Sequence, residues 1–177
     1  MLVLAKERIS KDRPDFFKRA VFTAEGDTWL NRCDDIVNRI FQWILVNTDE
    51  TDELHIIVEE PVNMVMQRAW SAAIQNRLFG LLLPKLLLLN QHMRPTTIYS
   101  IFPTSVKKIF TGSGKAKKEQ MIKKAGMYIK FRKDYPKAIK ECIADSVAIA
   151  YCGWKVCSPG TPLLNGITLL SGARVED

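Results

Sequence analysis

The alternation of two apolar patterns along the chain constrains its fold more than any other feature of the sequence. Residues 54–58 and 97–102 are short apolar runs with β-branched residues, a composition typical of buried strands. From Trp29 to about Val46, apolar residues recur at spacings of three and four, which predicts an amphipathic helix with Asp27 or Thr28 as its N-cap. Strands that alternate with helices place the chain in the α/β class.

The length of the chain, 177 residues, predicts one domain with a sizeable core, which we assign to residues 1–152. Residues 153–177 contain two prolines and four glycines without clear periodicity, and we expect a loose C-terminal tail there. Residues 131–136 are predicted to be a loop. The other predicted elements are strands over 1–5 and 18–24 and helices over 63 to about 89, 118–129 and 137–151.

The predicted helix from 63 to about 89 is unusually rich in leucine. Gly80 and Pro84 predict a kink or a break within it. Its apolar excess has two explanations, since part of the helix could lie deep in the core or could face a second subunit. Polar and charged residues interrupt the segment, so we predict no transmembrane span: these are Gln67, Arg68, Gln75, Asn76, Arg77 and Lys85.

The cysteine and histidine content limits metal chemistry and cellular location. The four cysteines show no C-x-x-C spacing and there are two histidines, so we do not expect a zinc site. The apolar start of the chain is too short for a signal peptide and is followed at once by charged residues. We therefore expect an intracellular protein with reduced thiols rather than a secreted one.

Positive charge is concentrated in one segment. Residues 106–140 contain twelve Lys or Arg and two Asp or Glu, a net charge of +10 in a chain whose total is +7, so the remainder is negative. Localised positive charge is typical of a protein that binds a polyanion, most often nucleic acid. A membrane surface is the rival partner, but no strong aromatic or leucine stripe lies opposite the lysines.

A small, polar loop lies at the centre of this basic segment. Residues 111–114 have the sequence Thr-Gly-Ser-Gly, which would let backbone N–H groups approach an anion. The loop follows a short basic turn, for which Thr104 or Ser105 is the predicted cap. The simpler alternative is a surface loop with solvated lysines.

Three carboxylates attract attention because of where they lie. Glu59 follows a predicted buried strand, and ligands bind at the carboxyl ends of strands in α/β sheets. Glu141 and Asp145 are four residues apart on a mostly apolar helix, so they share a face and repel each other unless a cation lies nearby. Each acid alone is explained as well by a solvated position at a strand or helix edge.

Together these segments resemble the RuvC-type Holliday-junction resolvases of the ribonuclease H-like superfamily. The first similar segment is a strand ending in an acid, IIVEEP at 56–61. The second, PTSVKKIFTGSGKAKKEQM at 103–121, is the most specific of the three. The third is ADSVAIA at 144–150, in which an Asp precedes a small apolar run. The resemblance covers residues 18–152 approximately.

The resemblance implies a mixed sheet with helices on both faces, and a homodimer that acts on branched DNA in recombination and repair. It implies a structure-selective endonuclease in which carboxylates hold two Mg²⁺ ions, with Mn²⁺ expected to substitute. Glu59 and Asp145 would be ligands, and Glu141 would take the place of a further family acid, because Cys142 is a poor Mg²⁺ ligand. The residues implied in DNA binding are Lys107, Lys108, Ser113, Lys115, Lys117 and Lys118.

The chain departs from the family at its first strand, which normally carries an essential Asp. In one alternative, residues 1–7 are that strand and Glu7 replaces the Asp. In the other, residues 1–6 and 18–24 form the hairpin that follows, and the first strand is missing. A missing ligand would lower the rate a hundredfold or more on the order-of-magnitude cost of misplacing a catalytic group.

Three functions follow from these observations. The first is a Mg²⁺-dependent endonuclease that resolves four-way DNA junctions. The second is a non-catalytic nucleic-acid-binding protein that keeps the fold with an incomplete metal site. The third is another ribonuclease H-like nuclease, which the loop motif disfavours.

Overall fold

The structure is a computed structural model that describes residues 2–5, 16–20, 22, 25–49, 53–61, 69–91, 95–157 and 164–171. Five strands and five helices lie within these ranges, and they alternate as the sequence predicts for an α/β chain. The strands are β1 (Leu2–Ala5), β2 (Phe16–Ala20), β3 (Leu54–Glu59), β4 (Thr96–Ile101) and β5 (Ile167–Ser171). The helices are α1 (Trp29–Asn47), α2 (Ala69–Gln91), α3 (Pro103–Thr111), α4 (Lys118–Ala125) and α5 (Lys137–Cys157).

The chain divides into two compact units, each assembled from segments that are distant in sequence. The first unit contains β1, β2, α3, α4 and α5. The second contains α1, β3, α2 and, apart from Ile101 and Ile167, strands β4 and β5. The assignment of residues 1–152 to a single domain stays a prediction.

Helix α1 of the second unit confirms the predicted amphipathic helix. Its N-cap is Thr28, whose hydroxyl oxygen accepts a hydrogen bond from the backbone N–H of Asn31 at 3.2 Å. This bond satisfies one of the free donors at the start of the helix. The helix packs on α2. Its buried residues have the predicted spacing of three and four: Cys33, Val37, Phe41 and Ile44.

The three-stranded sheet has the order β3-β4-β5, so β4 lies in the middle. All six residues of β4 are buried, so both faces of this central strand are covered. In β3 only Leu54 is fully buried, so this strand is less enclosed than its apolar sequence predicts. The ring of His55 on β3 stacks with that of Tyr99 on β4, with centroids 6.3 Å apart.

Helix α2 continues through both Gly80 and Pro84, so it does not break there, and the predicted alternative of a kink stays a prediction. Its window Ala72–Leu89 has a mean hydropathy of 1.3, and only 11% of that window is buried. By length and composition alone the window could cross a membrane, even though Arg77 and Lys85 would each cost about 3 kcal/mol at the centre of a bilayer. Among residues 72–89 of α2, whose burial the structure describes, Leu86 and Leu89 are buried, which confirms for these two the prediction that part of the helix lies in a core.

The first unit combines a hairpin with three helices. Strands β1 and β2 pair antiparallel, with Leu4 opposite Lys18. Helices α3, α4 and α5 pack on one another, and α5 also packs on β1. Ala144, Val147 and Ala148 of α5 are fully buried, which confirms that this small apolar run packs closely.

The hairpin bears on how the start of the chain differs from the RuvC-type resolvases that its sequence resembles. The pairing of β1 with β2 fits the alternative in which these segments are the family's hairpin. Glu7, on which the other alternative depends, lies outside the described residues.

Two helix boundaries differ from the predictions. Helix α3 begins at Pro103 and its N-cap is Phe102, so neither Thr104 nor Ser105 is the cap. Proline suits the first helical position because its φ is already helical and its missing N–H is not needed there. Helix α4 ends at Ala125 rather than at residue 129, and a turn follows.

The expectation of a loose tail is wrong for much of the C-terminal segment. Helix α5 continues past residue 151 to Cys157, and Ile167–Ser171 forms β5 at the edge of the sheet. The backbone N–H of Phe102 donates to the carbonyl oxygen of Gly166 at 3.2 Å, and this bond holds the turn before β5 at the start of α3 within the first unit. Regular secondary structure therefore extends beyond residue 152.

Candidate functional site

Helix α5 positions two of the predicted carboxylates. Glu141 and Asp145 are one turn apart on its N-terminal half, and their side chains are 28% and 32% exposed. Fully buried residues follow Asp145 on the same helix, because the small apolar run packs against the rest of the first unit. The two acids therefore lie at the boundary between this core and solvent, where they are accessible to a cation.

A lysine side chain of helix α4 forms an ion pair with Asp145. The ammonium of Lys118, the first residue of α4, donates a hydrogen bond to the Oδ2 atom of Asp145. Sequence reasoning assigned Lys118 to DNA and Asp145 to metal, and it did not predict that they meet. The two residues are 27 positions apart, so no local spacing indicates the contact.

A second lysine joins the same two helices. The Nζ atom of Lys137 lies 3.2 Å from Oε1 of Glu119 on α4 and 4.0 Å from Oε1 of Glu141 on α5. Hydrogen bonds from its own backbone N–H and from Lys137 lower the pKa of the Glu119 carboxyl. Both α5 acids thus have an ammonium group within ion-pair distance. The i,i+4 spacing of Lys137 and Glu141 is a signal that sequence reasoning missed.

The Thr-Gly-Ser-Gly loop is organised by its own hydrogen bonds. Gly112 takes the left-handed conformation at φ 87°, and its N–H donates to the carbonyl oxygen of Lys108. The Ser113 N–H donates to the Thr111 hydroxyl, and the Lys115 N–H donates to the Ser113 hydroxyl. These backbone donors are used within the protein, so the expected cradle of N–H groups for an anion is not formed by them.

The lysine side chains around the loop are better placed than its backbone to meet a polyanion. Lys108, Lys115, Lys117 and Lys118 are exposed, whereas Lys107 is half-buried. Ser113 is also exposed, but its hydroxyl oxygen already accepts the bond from Lys115. The same surface continues into further exposed basic residues of the first unit: Lys123, Lys130, Arg132, Lys133 and Lys137.

The other predicted ligands are less well defined. Glu59 is exposed at the last position of β3, as predicted, and belongs to the second unit. Cys142, whose thiol is a poor Mg²⁺ ligand, is exposed on α5. Across the described ranges, no three His, Cys, Asp or Glu side chains come together as a metal-binding group.

The donors on α5 nevertheless suit a hard divalent cation. Glu141 and Asp145 offer carboxylate oxygens, which Mg²⁺ prefers. The Lys118 ammonium occupies a cation position on Asp145, so this carboxylate already accepts positive charge there. In donor chemistry these residues fit a metal ion, although they form only part of the predicted set.

Comparison with solved structures identifies the fold. No family model and no curated protein matches the sequence. The structure is similar to a RuvC from Thermus thermophilus, with a TM-score of 0.56 and 16% sequence identity over 84% of each chain. It is also similar to T. thermophilus RuvC in complex with a Holliday junction substrate, with a TM-score of 0.55 and 15% identity over 84% of this chain and 83% of that one.

The chain has a RuvC-like fold. This finding confirms the α/β, ribonuclease H-like fold predicted from three short motifs. Within the RuvC-like fold, each motif occupies the element that the sequence predicted for it. Glu59 ends β3, the basic loop connects α3 to α4, and Asp145 lies on the last helix.

Proposed function

We propose that this chain is a structure-selective DNA endonuclease that resolves four-way junctions. The RuvC-like fold over 84% of the chain supports a nuclease of this type. The observation that carries the proposal is the contact of Lys118 with Asp145, because it joins the basic segment directly to a candidate catalytic carboxylate. A DNA backbone held by that segment would lie beside the acids of α5.

The proposed cofactor is Mg²⁺, for which Mn²⁺ would substitute. Asp145, Glu141 and Glu59 are the proposed ligands, and Glu7 is the candidate for the remaining acid. When bound, such ions activate a water molecule and stabilise the leaving 3′ oxygen of a phosphodiester.

The chain's own residues would bind and orient the DNA. The exposed lysines 108, 115, 117 and 118 would neutralise phosphates on either side of the scissile bond. The internal hydrogen bonds of the loop hold the backbone from Ser113 to Lys115, which reduces the entropy lost when Lys115 binds a phosphate.

We further propose that the chain acts as a homodimer through α2. Leu87 and Leu88 are 39% and 37% exposed on a helix whose apolar window is mostly unburied. A second copy would cover this surface, and a two-fold dimer matches the symmetry of a four-way junction. We also propose an intracellular location, which the four free cysteine thiols support.

A non-catalytic DNA-binding protein is the second candidate. It is favoured by the absence, among the described residues, of any group of three metal-ligating side chains. In that case the Lys118–Asp145 pair would be a permanent contact between α4 and α5.

Cleavage of a labelled synthetic four-way junction with Mg²⁺ tests the proposal. The endonuclease predicts paired, symmetric nicks in the junction, none in a linear duplex, and loss of nicking in Glu59→Gln and in Asp145→Asn. Glu25→Gln is the matched control, because Glu25 is an exposed acid that precedes α1 and is not among the proposed ligands, so it should leave nicking unchanged. Tight junction binding without nicks would establish the second candidate instead.

A further inference from the structure

Lys118 lies where a helix disfavours positive charge. It is the first residue of α4 and follows Lys117, the N-cap, so two ammonium groups adjoin the positive end of the helix dipole. An anion is favoured at this place, and Asp145 provides one. The carboxylate thereby neutralises Lys118, and Lys118 neutralises the carboxylate.

The pair is also accessible to exchange. The Lys118 side chain is 44% exposed and that of Asp145 is 32% exposed, so water and ions reach both groups. Ion pairs at this exposure are weak, and a competing cation or anion of higher charge can replace either partner. Each partner has an obvious competitor, because a divalent cation would compete for Asp145 and a DNA phosphate would compete for Lys118.

We propose that Lys118 is an internal counter-ion that exchanges between Asp145 and a DNA phosphate, and that it thereby couples divalent metal binding to DNA binding. The inference rests on the proposed function. Without DNA, the Lys118 ammonium holds the cation position of Asp145 and weakens metal binding. When a phosphate takes the ammonium, Asp145 is free for the metal. Binding of the metal in turn releases Lys118 for the phosphate, because linkage between two sites is reciprocal.

The coupling has a modest expected size. Exposed ion pairs contribute little, so removal of Lys118 should tighten metal binding to the free protein about two- to fivefold. Coupling of this size would favour simultaneous binding of the metal and the DNA to the protein. It would also limit metal binding to Asp145 in the absence of DNA.

The first experiment is a calorimetric titration of the DNA-free protein with Mn²⁺. It compares wild type with Lys118→Met, Lys118→Arg, Lys123→Met and Asp145→Asn. Lys123→Met is the matched control, because it removes an exposed lysine from the same helix at a position remote from the helix start. Lys118→Met should bind Mn²⁺ about two- to fivefold more tightly than wild type, whereas Lys118→Arg and Lys123→Met should match wild type.

The second experiment measures junction affinity at fixed ionic strength with and without Ca²⁺. Wild type and Lys123→Met should gain more affinity from Ca²⁺ than Lys118→Met does, by about the same two- to fivefold factor. Thermal unfolding of each variant separates this effect from a structural role, since a merely structural pair would lower the melting temperature of Lys118→Met without tightening Mn²⁺ binding.

The outcomes separate the two proposals. If wild type binds Mn²⁺ and Asp145→Asn does not, but Lys118→Met binds it no more tightly than wild type, the counter-ion inference is overturned and the metal site stands. If wild type and Asp145→Asn show the same Mn²⁺ titration, the metal site proposed at Asp145 fails and the inference fails with it.

Discussion

Gly166 and Ser105 are in contact so close that only glycine fits. A Cβ atom built on Gly166 would collide with the side chain of Ser105, and Gly166 has a φ of +84°. This contact fixes the turn before β5 against the first turn of α3. Gly166 and the start of the helix that leads to the basic loop, which both belong to the first unit, are therefore held together at this point.

Replacement of Gly166 by alanine should destabilise the fold. The added methyl group meets Ser105 and the positive φ strains any other L-residue, so we expect a loss of about 1–3 kcal/mol. Gly80→Ala is the matched control with the opposite sign. Gly80 lies within α2 with open space around its Cβ position, and alanine there should add about 0.5–1 kcal/mol of helix stability. Urea unfolding of the two variants checks both signs.

Helix α1 and strand β5 show what the sequence predicts well and what it does not. Helix α1 was predictable because its apolar period and its Thr28 cap are both local properties. Strand β5 was missed because Ile167–Ser171 is short and two of its leucines are exposed, so its pairing with β4 is a tertiary property. The Asn165–Gly166 pair before Ile167 was the available turn signal.

Local sequence patterns predict some features of the candidate site, whereas others depend on tertiary packing. The positions of Asp145 on a packed helix and of Glu59 at a strand end follow from local patterns. The identity of the partner of Asp145 does not follow from a local pattern, because Lys118 reaches Asp145 only when α4 and α5 pack together. Composition also suggested a backbone cradle for anions at the loop, but the serine and threonine hydroxyls of that loop bind its own N–H groups.

Neutralisation of the loop lysines should weaken junction binding in a salt-dependent way. Lys115→Gln and Lys117→Gln each remove one ammonium group, and each should reduce the slope of log affinity against log salt by about 0.9 if that group binds a phosphate. The charge-retaining Lys115→Arg and Lys117→Arg variants should keep the slope of wild type. Fluorescence anisotropy of a labelled junction across a salt series measures it. Equal slopes in wild type and both glutamine variants would remove these lysines from the DNA interface.

The cysteines of α5 should differ sharply in reactivity. Cys142 is exposed, whereas Cys152 is fully buried and burial raises its pKa to about 12. Because the thiolate is the reacting form, N-ethylmaleimide near neutral pH should modify Cys142 rapidly and leave Cys152 intact in the folded protein. Mass spectrometry of peptides after brief labelling tests this difference. Labelling of Cys152 at the rate of Cys142 would show that α5 does not pack as described.

Glu119 should make the free energy of unfolding depend on pH in the acid range. Its pKa is lowered from the usual 4.5 in the folded chain, chiefly by its own backbone N–H and then by Lys137. Its stabilising effect is therefore complete above about pH 4.5 and is lost as the pH falls through the lower folded value. Glu119→Gln should be less stable than wild type near neutral pH, and this difference should shrink as the pH falls below the folded pKa of Glu119. A stability difference that persists unchanged in acid would mean that the Lys137 contact is not responsible.

The exposed leucines of α2 should govern self-association. Leu87 and Leu88 are partly exposed, while Leu86 and Leu89 beside them are buried, so the first pair is free to contact another molecule and the second supports the fold. Leu87→Lys with Leu88→Lys should convert a dimer into a folded monomer in analytical ultracentrifugation, because two charges cannot be buried at the interface without partners.

Leu86→Ala is the matched contrast, since it should cost about 2–5 kcal/mol of stability whatever the oligomeric state. A wild-type protein that stays monomeric would contradict the dimer proposal, and the apolar window of α2 would then contact a different partner. Flotation with liposomes then distinguishes a membrane surface, because only that partner would carry the wild-type chain, and not the double lysine variant, to the top of the gradient.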